Sequence, residues 1–147
     1  MALPATKVTG PFSTLRATSY FFRPMTPESI KQDFDSALLK HFSFKAKLRS
    51  FLYGNQSEQG PLRDPDQCIL GKWITDRMAG DYAGVAEMKT LDHQHRHMHH
   101  LANRLMDLHL AGQRDEAMAG FKEVQVLADD MVELLRTIEA KLRKAEA

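Results

Sequence analysis

The chain has 147 residues, 43% hydrophobic and 27% charged, with a formal net charge of +1. That is enough chain for one domain with a real core, and the balanced charge gives no electrostatic case for nucleic acid or an anionic membrane. Its single cysteine, Cys68, excludes an intrachain disulfide and fits a reducing cytoplasmic setting. No run of 18 apolar residues suggests a membrane span.

Residues 1–26 lack a continuous apolar stretch, so they do not read as a secretory signal. Their Pro, Thr, Ser and Gly content suggests a leader, with Tyr20, Phe21 and Phe22 able to dock on the body or on a partner. The remainder, 27–147, reads as one helical domain. Thr26-Pro27 is an N-cap followed by proline at the first helical position. From there Ile30, Phe34, Ala37, His41, Phe44, Leu48 and Phe51 form a stripe at helical spacing, and Gly54 ends it.

Asp64-Pro65 repeats the cap-plus-proline signal and predicts a shorter helix through CILGKWITDRM, stopped by Gly80. Asp81 is a candidate cap for the next helical region, with a break expected near Lys89-Thr90 and a stop at Gly112. The last helix is expected from Arg114 or Asp115. Its apolar residues Ala117, Phe121, Val124, Ala128, Met131, Leu135, Ile138 and Leu142 step by four and three, a heptad-like seam that suits a core or a dimer face. No strand pattern competes. The expected fold is all-α, an antiparallel four-helix bundle with an additional short helix carrying the cysteine motif.

Five of the seven histidines fall in LDHQHRHMHH, residues 91–100. At about 100° per residue, positions four apart share a helix face. His93 and His97, with His100 alongside, continue toward Arg104 and Asp107, a polar face. His95 and His99 continue toward Ala102 and Met106, with Met98 and Leu105 beside them. The second pair is therefore the better inward candidate, although both pairs sit off the centre of the apolar stripe.

His41 lies within the apolar stripe of the first helix and needs a partner for its ring nitrogens. A core hydrogen bond is the simpler account of such a histidine, and a small buried hydrophobe is the simpler account of a free cysteine. Near Cys68, however, Gly71 sits one turn on, and a glycine inside a helix costs about 1 kcal/mol against alanine. Such a glycine is usually kept for close approach of another element. Together His41, Cys68, His95 and His99 offer three imidazoles and a thiolate, a donor set that suits tetrahedral Zn²⁺ and disfavours Mg²⁺ or Ca²⁺.

At these residues the sequence resembles the CZB, or chemoreceptor zinc-binding, domain family. The resemblance rests on His41-Phe-Ser-Phe44, on Cys68-Ile-Leu70-Gly71-Lys-Trp73, and on His95-Arg-His-Met-His99 followed by Ala102. It covers roughly residues 30–140. It implies zinc ligands at His41, Cys68, His95 and His99. His93 and His97 satisfy His-x-x-x-His equally, so the motif by itself does not choose between the pairs.

The resemblance further implies a cytoplasmic helical bundle, often a homodimer, that senses zinc or oxidants through the zinc-bound cysteine. Bacterial chemoreceptors and diguanylate cyclases, the enzymes of cyclic-di-GMP signalling, are the partners it implies. No cyclase-like motif or long receptor coiled coil is present, so the expectation is a stand-alone member or an excised piece, and not an enzyme. Two alternatives compete. One is a non-haem di-iron or oxygen-binding bundle, disfavoured because no Glu-x-x-His occurs. The other is an interaction bundle with a purely structural zinc.

Overall fold

The computed structural model describes residues 25–55 and 58–146. The expectations for the leader and for its Tyr20, Phe21 and Phe22 lie outside the described residues. Among the described residues five helices follow in chain order: α1 (Pro27–Leu52), α2 (Gly60–Arg63), α3 (Ile69–Ala79), α4 (Glu87–Leu110) and α5 (Arg114–Glu146). Among the described residues there is no strand. The fold is an all-helical bundle.

α1 begins as its sequence dictates. Ser29 N–H donates to Thr26 Oγ1 at 3.0 Å, and Thr26 N–H donates to Ser29 Oγ at 2.9 Å, a reciprocal cap. All seven residues of its expected stripe are buried. Gly54 and Gly112 take left-handed φ values of +95° and +85°, which lets the chain turn out of α1 and α4. Gly80 caps α3.

Side-chain neighbours set the directions. Phe44 of α1 faces His99 of α4, and Phe51 faces His109, so α1 and α4 run the same way. His41 meets Ala128, and Lys141 near the end of α5 pairs with Glu87 at the start of α4, so α5 runs back. α3 also runs back, because it starts beside His95 and His99 and ends where Arg77 reaches Asp33 near the start of α1. The result is an up-down-up-down arrangement in which α3 is a half-length helix. The segment before it, including α2, fills the other half of that corner. The extra short helix is thus α2, and the cysteine motif opens the fourth bundle helix.

Three local expectations are corrected. Asp64-Pro65 does not open α3: Asp64 closes α2 and turns the chain, its carboxylate accepting from Asp66 N–H at 2.9 Å, and Cys68 is the N-cap of α3. Asp81 lies in a turn, and Ala86 is the cap of α4. No break occurs at Lys89-Thr90, where the helix is continuous.

The core runs through all four corners. In α5, Ala117, Val124, Ala128, Met131, Leu135, Ile138 and Leu142 are buried within the single chain, and Phe121 is half-buried. The heptad-like seam is therefore core. At about 25 cal/mol per Å² of apolar surface removed from water, the buried valine, methionine, leucine and isoleucine side chains contribute roughly 1.5–3 kcal/mol each, and the two alanines less. This burial holds α4 and α5 together and fixes which face of α4 looks inward.

Near the start of α1, where α3 ends, sits a polar clamp. The Asp33 carboxylate accepts from Trp73 Nε1 at 3.1 Å, Arg77 Nε at 2.8 Å, Arg77 Nη2 at 2.7 Å and Tyr82 Oη at 2.6 Å. Burial alone would raise its pKa, but the hydrogen bonds from Arg77, Tyr82 and Trp73 and the Arg77 charge outweigh it, and the net direction is downward. The clamp anchors the body of α3 to α1, so the N-terminal end of α3, with Cys68, is held in register with α4.

Candidate metal centre

Cys68, His95 and His99 form one buried cluster, their potential ligand atoms all within 4.8 Å of one another. The sidedness of α4 places the two histidines. His95 and His99 share the inward edge with Leu91, Met98, Ala102 and Met106 and are each 1% exposed. His93, His97 and His100 lie on the exposed face of the same helix.

Cys68 arrives from the opposite side as the N-cap of α3, with extended backbone. Its side chain makes no cap hydrogen bond to the first turn of α3, so the sulfur is left for the cluster. Gly71 allows the approach. A Cβ at that position would stand 2.8 Å from His95 Cε1 and nearer still to the Pro65 carbonyl oxygen. The glycine therefore lets α3 press against both the turn before it and the imidazole.

The hydrogen bonds assign the tautomers. His99 Nδ1–H donates to the Leu62 carbonyl of α2 at 2.8 Å, so His99 Nε2 presents a lone pair. His95 Nε2 faces that atom at 3.1 Å. Two nitrogens held about 2.0–2.1 Å from a tetrahedral zinc stand about 3.3–3.4 Å apart, so the observed separation is within a few tenths of an ångström of what the ion needs.

His41 is fully buried on α1 and stands outside the three-residue cluster. Its Nε2–H donates to the Ala128 carbonyl at 3.1 Å, while its buried Nδ1 has no hydrogen-bond partner among the described residues. An orphaned acceptor on a buried ring costs roughly 1–3 kcal/mol. Were His41 to protonate, its charge would lower the pKa of His95 further.

All three buried imidazoles are held neutral, the form a metal requires. Burial pushes His95 down to about 3, with the charges of His99, Arg96 and His41 adding to it. Burial also lowers His99 against the opposing hydrogen bond to the Leu62 carbonyl, and lowers His41 against its hydrogen bond to the Ala128 carbonyl.

The residues fit zinc on these observations: a clustered thiol and two imidazoles, a fixed tautomer at His99, and an orphaned imidazole nitrogen nearby. The two carbonyls of Leu62 and Ala128 that orient the rings escape residue-level reasoning, because they are backbone groups. Asp33 was also missed. Its signal was a carboxylate next to Phe34, on the edge of an apolar stripe.

Residues 41–106 match the family model described as the chemoreceptor zinc-binding domain. The matched span begins at His41 and contains Cys68, His95 and His99. Searches of curated proteins and of solved structures gave no match.

Proposed function

With residues 41–106 assigned to the CZB family, we propose that this chain is a zinc-binding sensory or regulatory domain that acts without catalysing a reaction. The carrying observation is the buried Cys68–His95–His99 cluster, together with a buried His41 whose Nδ1 has no hydrogen-bond partner among the described residues. The ligands proposed are His41, Cys68, His95 and His99. Zn²⁺ bound by four protein groups would act as a closed cross-link between helices, with no coordination position left for a reacting water.

The chain's own residues make that cross-link informative. His41 belongs to α1, Cys68 to the start of α3, and His95 and His99 to α4. Loss of the Cys68 donor therefore uncouples the N-terminal end of α3 from its neighbours, while the Asp33 clamp keeps its body attached to α1. The moving part is the segment from α2 to the first turn of α3. Ile69, which follows Cys68, is half-exposed and would shift with it.

Two inputs could release Cys68. One is competition for zinc. The other is a peroxide or hypochlorous acid, which takes two electrons from the thiolate and leaves a sulfenic acid, a poorer ligand, with water or chloride as the reduced product. Mass spectrometry after mild oxidant, read beside zinc content, separates them. Cys68 unmodified while zinc stays bound leaves zinc sensing alone; Cys68 oxidised in step with zinc release supports the redox input.

The outputs that fit are the cytoplasmic ones of the family, chemotaxis and cyclic-di-GMP signalling in bacteria, through a homodimer or a receptor or cyclase partner. No described helix is long and apolar enough to cross a membrane. Metal-free and zinc-loaded protein should differ in hydrogen exchange over residues 58–75 or in oligomeric state. Identical exchange and assembly would make the zinc purely structural.

A further inference from the structure

The buried cluster uses two of the five histidines between 91 and 100. The other three, His93, His97 and His100, are exposed on the opposite face of α4. At about 100° per residue, His97 lies about 40° to one side of His93 and His100 about 20° to the other. All three therefore point into solvent within one narrow arc.

Their spacing is that of a helix-surface chelate. His93 and His97 are four apart and His97 and His100 three apart, positions whose Cβ atoms lie about 5–6 Å from each other. The His97 and His100 rings are nearly parallel, with 17° between their planes and centroids 6.4 Å apart. Among the described residues, none of the three rings makes a hydrogen bond to protein. Arg96, next to His97 in the chain, is turned toward Asp92 and Asp66 at 3.4 Å, and Arg104 continues the same face one turn beyond His100.

We propose that His93, His97 and His100 form a second metal site, open to solvent, for a divalent transition-metal ion that prefers imidazole: Cu²⁺, Ni²⁺ or Zn²⁺. The site is separate from the buried cluster and weaker. It has no thiolate. Its three rings are also not gathered in the structure, so binding must fix exposed side chains that are otherwise free to rotate. Its remaining positions are filled by water, which makes the ion exchangeable. An ion held there sits on the same helix as His95 and His99, so α4 carries a fast-exchanging ion on one face and a protected ligand pair on the other.

The test uses untagged full-length protein, loaded with zinc and dialysed. It is passed over immobilised Ni²⁺ and, separately, titrated with Zn²⁺ in a calorimeter. Wild type should be retained by the resin, elute with imidazole, and show a second, weaker binding phase. His93→Gln/His97→Gln/His100→Gln should pass through the resin and lose that phase, while keeping its helical circular dichroism and its dialysis-resistant zinc. Cys68→Ser should still be retained. Flow-through of wild type, or retention of the triple variant equal to wild type, would overturn the proposal. Retention of a wild type that carries no dialysis-resistant zinc would support the surface site while removing the buried one.

Discussion

Gly71 and His95 are in contact only because Gly71 has no side chain: a Cβ there would lie 2.8 Å from His95 Cε1 and would also collide with the Pro65 carbonyl oxygen. The same absence lets α3 start against the turn that delivers Cys68. In an exposed helix, alanine in place of glycine stabilises by about 1 kcal/mol. Here the obstruction includes backbone, which cannot rotate away. Gly71→Ala should be net destabilising, by about 1–3 kcal/mol, and should weaken zinc binding as well. Urea unfolding of the metal-free protein and competition with a zinc chelator measure the two effects. A variant as stable as wild type with unchanged zinc affinity would show that α3 does not need this approach.

His41 makes a different prediction. Its Nε2–H is spent on Ala128, while its buried Nδ1 lacks a partner. His41→Leu removes the orphaned atom and keeps similar volume, so metal-free stability should stay within about 1 kcal/mol of wild type. The stabilisation that zinc adds, which follows RT ln(1 + [Zn]/Kd), should shrink. Thermal melts with and without zinc provide the comparison. A zinc-induced shift equal to wild type would remove His41 from the ligand set.

Asp33 links stability to pH. Its pKa is lowered on folding, so the clamp's contribution is fully present above the unfolded carboxylate pKa of about 3.9 and is lost as pH falls through the lower folded value. Asp33→Asn removes the charge that receives Arg77. It should destabilise the protein at pH 7 by roughly 1.5–3 kcal/mol, the scale of hydrogen bonds to a charged group. The gap between variant and wild type should narrow below about pH 4. A gap that stays constant down to pH 2 would mean the carboxylate's charge is not what matters.

For Cys68, serine is the informative replacement, because it keeps the size at the N-cap of α3 and removes the thiolate. Cys68→Ser should remain folded without metal and bind zinc more weakly by at least an order of magnitude. Chelator competition reads this directly. Wild-type affinity in the serine variant would show that the sulfur is not a ligand.

Much of this was legible in the residues. The stripe from Ile30 to Phe51 and the seam from Ala117 to Leu142 are spaced for helices and are buried as such. The glycine stops at 54 and 112 are real because both need left-handed φ. His95 and His99 could be told from His93 and His97 because burial follows Met98, Ala102 and Met106 around α4. The start of α3 was misread for a physical reason. Asp-Pro favours a turn as much as a helix start, and here the Asp64 side chain caps a turn. The carbonyls that orient His41 and His99 come from backbone brought in by α5 and α2, and no side-chain pattern records them.

The most direct test of the central claim is zinc content by elemental mass spectrometry on untagged, dialysed protein. It should be run on wild type, His95→Ala/His99→Ala and His93→Ala/His97→Ala. The account predicts one zinc per chain in wild type and in the second variant, and none in the first. Zinc lost from His93→Ala/His97→Ala but kept by His95→Ala/His99→Ala would contradict it, and would put the bound ion on the outer face of α4.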